Sequence, residues 1–210
     1  MSVVVPLKRP VHDHFSITIE PGQEEMFLAL REIANLRTGF TAGDLARVSG
    51  GSTTSADYYL ARLVRAGIAL VAGSTTDRQI LYAITRLPSS VVVLNTRSQP
   101  DRWFTLRQAV WKAIRIRKEF TVRLLWDDVR PTIADARLRE VSGIVGFLRA
   151  AGYLESLFGD TPRGEEQLRL RRLMDTGPLP PRLCEATLAY DLNTRTFYGV
   201  ALAREVFHVA

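Results

Sequence analysis

The sequence predicts a mainly α-helical fold carrying small β-hairpins, an α+β class. Three observations lead there. Leucines, valines and isoleucines recur at three- and four-residue spacing in several runs, the signature of helices with one buried face. Two of these helices end in Ala-Gly and turn directly into an apolar, strand-like run: "YYLARLVRAGIALV" at 58–71 and "GIVGFLRAAGYLESL" at 143–157. Each run is followed by a loop rich in Gly, Ser, Thr, Asp or Glu and then by a second strand-like run, the pattern of a hairpin.

Taken in order, "GQEEMFLALREIANLRT" is a helix with Met26, Leu28 or Leu30, and Ile33 on one face and acids in its first turn, where the helix dipole favours them. Thr41 is placed to cap a short helix carrying Leu45 and Val48, which Gly50-Gly51 ends. "STTSADYYLARLVRAG" starts at a Ser/Thr cluster, sets Ala56, Leu60, Leu63 and Val64 on its inner face and stops at Gly67. "IALVAGSTTDRQILYAI" is the hairpin.

The same four parts recur. "DRWFTLRQAVWKAIRIRKEF" is a long helix with Leu106, Val110 and Ile114 four residues apart. "FTVRLLWDDV" matches "FTAGDL", Phe120-Thr121 standing for Phe40-Thr41 and Leu125 for Leu45. "ADARLREVSGIVGFLRAAG" places Leu138, Val141, Val145 and Leu148 on one face, and "YLESLF" and "QLRLRRL" form strands around "GDTPRGEE". The chain is a tandem.

Each unit resembles the winged helix-turn-helix superfamily, over roughly residues 22 to 175. The Phe-Thr pair before the second helix, the leucine-bearing third helix, its Ala-Gly end and the hairpin carry the resemblance. It implies tandem winged helices, with the third helix entering the major groove of DNA and the hairpin, or wing, lying along the backbone. The expected organisation is an N-terminal extension at 1–21, a first domain at 22–94, a linker at 95–101 ("NTRSQPD"), a second domain at 102–175 and a docking or dimerisation segment at 176–210. "FSITIE" alternates like a half-buried strand, "SSVVVLN" is a packed extension or extra strand, and the tail holds either a hairpin turning at Asn193 or a closing helix over "YGVALAREVF".

Charge sharpens the functional reading. The net charge is +6, with apolar residues at 46%, enough for a core and far from disorder. Basic and acidic side chains number ten and eight up to residue 98, fifteen and eleven from 99 to 175, and three and three thereafter, so the surplus lies in the body of the chain. All but Lys8, Lys112 and Lys118 are arginines, whose planar fork suits phosphate and guanine. No apolar run reaches the roughly 18 residues of a membrane span, and the opening lacks the charge order of a signal peptide. A lone cysteine, Cys184, excludes an intrachain disulfide, and a reducing cytoplasm is the expected compartment.

On a helical wheel, Thr54, Ser55, Tyr58, Arg62 and Arg65 lie opposite the core leucines of the first third helix. Hydroxyls and a helix N-terminus suit phosphates, Tyr58 stacks or hydrogen-bonds, and Arg62 reaches guanine or phosphate. The plain alternative is a solvated face with Arg65 complementing the helix end. In the second copy the outer face holds Ala136, Arg139, Gly143, Gly146 and, to one side, Phe147, a surface suited to close packing. The units are therefore expected to differ: the first reads DNA, the second grips backbone through Arg139 or packs on a partner. Arg78 beside the first hairpin's turn, Arg107, Arg115 and Lys118 on one helix, and Arg169 and Arg171 alternating with leucines complete the expected phosphate contacts.

Catalysis finds little support. His12 and His14 flank Asp13 without a third ligand nearby, and there is no phosphate-binding loop, dinucleotide fingerprint or G-x-S-x-G elbow. Asp127 and Asp128 point about 100° apart on a helix, and one of them is expected to accept a local arginine. No histidine close in sequence activates Cys184. No enzyme activity and no cofactor or metal are expected. The partners are double-stranded DNA and, through the second unit and C-terminal segment, a homodimer or protein. The function expected is transcriptional regulation. The alternatives are a replication initiator of phage or plasmid type and a non-enzymatic adaptor, since the tandem also resembles the kite subunits of chromosome-organising complexes.

Overall fold

The computed structural model describes residues 4–6, 21–160, 165–184, 188–194 and 196–202, with side chains over 21–157, 165–182 and 191–194. The proposed strand at 15–20, His12, His14, His208 and the side chain of Cys184 lie outside these bounds. The fold mixes helices with small antiparallel sheets. Contacts divide it into residues 17–102 and a second unit of 1–16 with 103–210.

In the first unit, β1 being in the other, the opening element is α1 (Gln23–Leu36). Its start is fixed by Glu25, whose carboxylate accepts from the Gly22 amide at 2.8 Å. Met26, Phe27, Leu30 and Ile33 are buried; Leu30, not Leu28, takes the core position. Helix α2 (Ala42–Ser49) opens on a reciprocal cap: Thr41 Oγ1 accepts from the Asp44 amide at 3.2 Å, while the Thr41 amide donates to Asp44 at 2.9 Å. That backbone hydrogen bond holds the Asp44 carboxyl below the usual aspartate range. Gly50, at φ 76°, ends α2 in the left-handed conformation that a side chain resists.

Helix α3 (Thr53–Arg65) is capped by Ser52, whose Oγ accepts from the Ser55 amide at 3.1 Å. Ala56, Leu60 and Leu63 are buried as the spacing requires, and so is Tyr59. Strands β2 (Ala69–Ser74) and β3 (Ile80–Ile84) form the hairpin, with Val71 opposite Tyr82 and a bulge before Gly73. Phe40 bridges to Tyr82 and extends this sheet by one residue pair.

The stretch after β3 is a packed extension, with Val91 and Leu94 buried. Gln23 holds it reciprocally: its Nε2 donates to the Leu94 carbonyl and its Oε1 accepts from the Leu94 amide, both at 2.9 Å. Buried Tyr59 donates to the Val92 carbonyl at 3.0 Å, and burial raises its phenol pKa far above ordinary. The expected linker is a tight turn in which the Asn95 and Gln99 backbones meet and Leu94 bridges Pro100.

The second unit repeats the order. Helix α4 (Arg102–Arg117) buries Leu106, Val110, Trp111 and Ile114, and β4 (Glu119–Phe120) leads to α5 (Val122–Val129), capped by Thr121. Helix α6 spans Leu138–Ala150. It starts later than the leucine spacing suggests: Leu138 is its first residue and is exposed, while Ile144 takes the inner face. Ala136, expected on the outer helical face, precedes the helix and is buried; its carbonyl accepts from Trp126 Nε1 at 2.9 Å. Strands β5 (Leu154–Asp160) and β6 (Glu166–Leu170) pair, in the sheet order β4-β6-β5.

The C-terminal segment is a meander of β7 (Arg182–Cys184), β8 (Leu188–Asp191) and β9 (Thr196–Leu202). The hairpin reading of the tail therefore holds through Leu202. The outer edge of β9 pairs with β1 (Val4–Pro6), in the order β1-β9-β8-β7. Asp191 ties this segment to Tyr153, just after α6. Fully buried, it accepts from Tyr153 Oη at 3.2 Å, from the Thr176 hydroxyl, and from the Asn193 and Thr194 amides at 2.8 and 2.9 Å. Trp111, edge-on to Tyr153, donates to the Gly177 carbonyl at 3.0 Å. Gly177 sits at φ 146° against the Asn193 amide, where no side chain fits.

Asp191→Ala strands these buried donors, so it should destabilise the second unit by about 3 kcal/mol. Denaturant unfolding followed by tryptophan fluorescence measures this, since Trp103, Trp111 and Trp126 all lie in the second unit; an unchanged midpoint would show that the segment is not held there.

Candidate nucleic-acid interface

The outer side of α3 was expected to meet DNA. Tyr58 stands 68% exposed, Thr54 and Arg65 are exposed, and Ser55 and Arg62 are half-buried. Ser55 and Arg65 are partly engaged locally: the Ser52 hydroxyl donates to Ser55 Oγ at 2.9 Å, and Arg65 Nε donates to the Ala61 carbonyl of its own helix at 3.3 Å. Arg62 donates to the Leu94 carbonyl at 3.2 Å, so the extension after the hairpin orients it. A guanidinium has five N–H donors, and one carbonyl leaves most of them available.

Ser55, Tyr58 and Arg62 line an open groove of about 360 Å³ with Gly22, Gln23 and Met26. The three α3 residues are one turn apart, which is why a single groove collects them. It has an apolar floor, an aromatic wall and a cation, a combination that accepts a flat group bearing negative charge.

The cations of the two units differ in what they already hold. In the first unit Arg37 and Arg47 meet Asp44 at 3.0 and 3.3 Å. Arg62, Arg65, Arg78, Arg86 and Arg97 meet no carboxylate among the described residues. Arg86 and Arg97, both exposed, were not singled out from the sequence; they lie outside helices, where periodicity gives no signal. Arg78 is exposed at the hairpin turn, at φ 61°.

In the second unit most of the expected phosphate contacts are occupied. Arg115 and Lys118 both reach Asp175 at 2.5 Å; the hydrogen bond from Lys118 is the chief cause of that carboxyl's lowered pKa. Arg169 meets Glu155 at 2.7 Å and Glu119 at 3.9 Å, and Arg171 meets Glu155 at 3.6 Å. The alternation itself is real, since Leu168 and Leu170 are buried and Arg169 and Arg171 exposed. Arg107 is a correction: it is buried, its guanidinium 5.4 Å from the Phe104 ring centre, and cannot meet a phosphate from there. Arg117 pairs with Asp128, lowering that carboxyl's pKa, and Arg123 lies 4.0 Å from Asp127. Arg149 meets Glu166 at 2.6 Å.

Arg139 alone of the second unit's expected contacts is exposed and meets no carboxylate among the described residues. Gly143 and Gly146 lie beside it on the open side of α6, where an added Cβ would touch nothing, while Phe147 packs partly into the core. Arg123 and Arg130 flank the Trp126 ring at 5.0 and 4.5 Å, a stack the sequence did not suggest.

Among the described residues no group of three or more His, Cys, Asp or Glu is arranged to hold a metal, and no helix is long and apolar enough to cross a membrane. No family model matches the chain, and no curated protein matches it significantly.

Because Gln23 clamps both backbone groups of Leu94, Gln23→Ala should raise hydrogen exchange at the Leu94 amide by about tenfold, the equivalent of one lost hydrogen bond. Unchanged exchange would show that Gln23 does not hold the extension at Leu94.

Proposed function

We propose that the chain is a DNA-binding protein built from two winged-helix units, acting as a transcriptional regulator by equilibrium binding and not by catalysis. The observation that carries the reading is a single helix face on which two arginines without a carboxylate partner among the described residues stand beside an exposed aromatic ring. Arg62 and Arg65 belong to the exposed side of α3, alongside Tyr58. The repeated order of three helices and a hairpin supports it. In this reading α3 enters the major groove, Tyr58 and Arg62 meet bases or phosphates, Thr54 and Ser55 sit at the helix start near a backbone phosphate, and Arg78 meets the flanking strand.

The second unit then contributes mainly by packing. Its paired cations have little to gain from a phosphate, because each contact would exchange one anion for another. Arg139 remains as its backbone contact. A non-enzymatic adaptor is the second reading, favoured by the nearly uncharged first hairpin and the open Gly143–Gly146 surface.

Fluorescence anisotropy with random-sequence duplex separates the two. About six phosphate contacts give a slope near −5 for log affinity against log salt. Arg62→Ala and Tyr58→Ala should each weaken binding about tenfold, and Arg139→Ala by less than about threefold. A flat salt response removes DNA as the partner, and a loss confined to Arg139→Ala reverses the roles of the units.

A further inference from the structure

The first hairpin raises a question that DNA binding does not answer. Residues 66–76, "AGIALVAGSTT", carry no charge, and every residue of β2 after Ala69 is exposed. Leu70 is 44%, Val71 55% and, on the neighbouring strand, Ile80 48% exposed. These apolar side chains stand in solvent on both faces of a short uncharged ribbon.

The surface lies on a free strand edge. β3 is paired on both sides, to β2 and to Phe40, whereas β2 pairs only with β3. The Thr85 amide donates to the Ile68 carbonyl, so Ile68 faces β3. Backbone groups alternate along an antiparallel strand, so Leu70 also faces β3, while Ala69 and Val71 turn their N–H and C=O groups outward. Edge strands are ordinarily guarded by lysine, proline or inward charge; here the bulge after Val71 is the sole guard, and it limits any added ladder to the Ala69–Val71 end.

We propose that this edge joins two copies of the chain, β2 pairing antiparallel with β2 of a second copy about a twofold axis at Leu70. The outward groups of Ala69 then bond those of Val71 in the other copy, and the reverse, giving four reciprocal hydrogen bonds. Leu70 faces its own counterpart as a non-hydrogen-bonded pair. An uncharged edge fits another uncharged edge, and the second copy supplies one in matching register. The first charges on either side of the axis are Arg65, at the end of α3, and the Asp77-Arg78 pair at the hairpin turn. No charged side chain therefore stands within the Ala69–Val71 segments that would pair, and none repels its counterpart there. Three residue pairs with their flanking side chains fall below the roughly 1,200 Å² of standard interfaces, so the dimer is weak and concentration-dependent.

The test uses the full chain without DNA, so its outcome is independent of the functional reading. Sedimentation velocity should show wild-type mass rising from monomer towards dimer between about 5 and 200 μM, the range of a weak interface. Val71→Lys should stay monomeric throughout with an unchanged circular dichroism spectrum. In a Cys184→Ser background, Leu70→Cys should form a covalent dimer under mild oxidation, because non-hydrogen-bonded partners sit about 4.5 Å apart at Cα, within disulfide reach. Val48→Cys, 37% exposed on α2, is the control for random collision. A wild type monomeric at the highest concentration overturns the proposal. So does a dimer that persists in Val71→Lys, or Leu70→Cys crosslinking no faster than the control.

Discussion

Ion pairing between guanidinium and carboxylate decides where this protein keeps free charge. Asp175 takes Arg115 and Lys118; Glu155 takes Arg169 and Arg171; Asp128 takes Arg117. At such separations a pair presents little net field beyond a Debye length of roughly 8–10 Å. The surplus cation count of the second unit therefore overstates what it offers a polyanion. The first unit has fewer cations, yet Arg62 and Arg65 on α3 meet no carboxylate among the described residues.

The same interactions have a structural use. Asp175 ties the end of α4 to the segment that leads into the C-terminal meander, and Asp191 anchors that meander to Tyr153. The second unit thus uses part of its charge to hold its own tail in place. In the first unit the corresponding task, holding the extension after the hairpin, falls to neutral groups, Gln23 and Tyr59, helped by one donor of Arg62. That economy leaves the remaining arginines to face solvent.

Much of the helical architecture was legible in the sequence because its determinants are local. Thr41, Ser52 and Thr121 are caps, Gly50 is a left-handed stop, and Leu60, Leu63, Val110 and Ile114 follow the helical period. What was not legible depends on distant partners. Gln23 meets Leu94 seventy-one positions on, and Val4 pairs with Leu202. Ala136 was misplaced because it lies before the helix begins, where a wheel does not apply; its carbonyl accepts from Trp126 instead. Leu138 was misplaced because it is the first helical residue and stands exposed at the helix end. A wheel shows which arginines share a face but not which acids lie across from it. Arg115, Lys118, Arg169 and Arg171 thus read as free, and Arg107 as exposed. Of the α3 set, Ser55, Tyr58 and Arg62 line one groove because they lie one turn apart on a single helix.

The central claim is that the α3 side of the first unit, and not the paired cations of the second, meets the polyanion. Titrating the isotope-labelled chain with duplex DNA and following backbone amide shifts tests it most directly. The account predicts perturbations concentrated over Thr53–Arg65 and around Arg78, with little change along β6. Perturbations centred on Glu166–Leu170 and α4, with α3 silent, would contradict it.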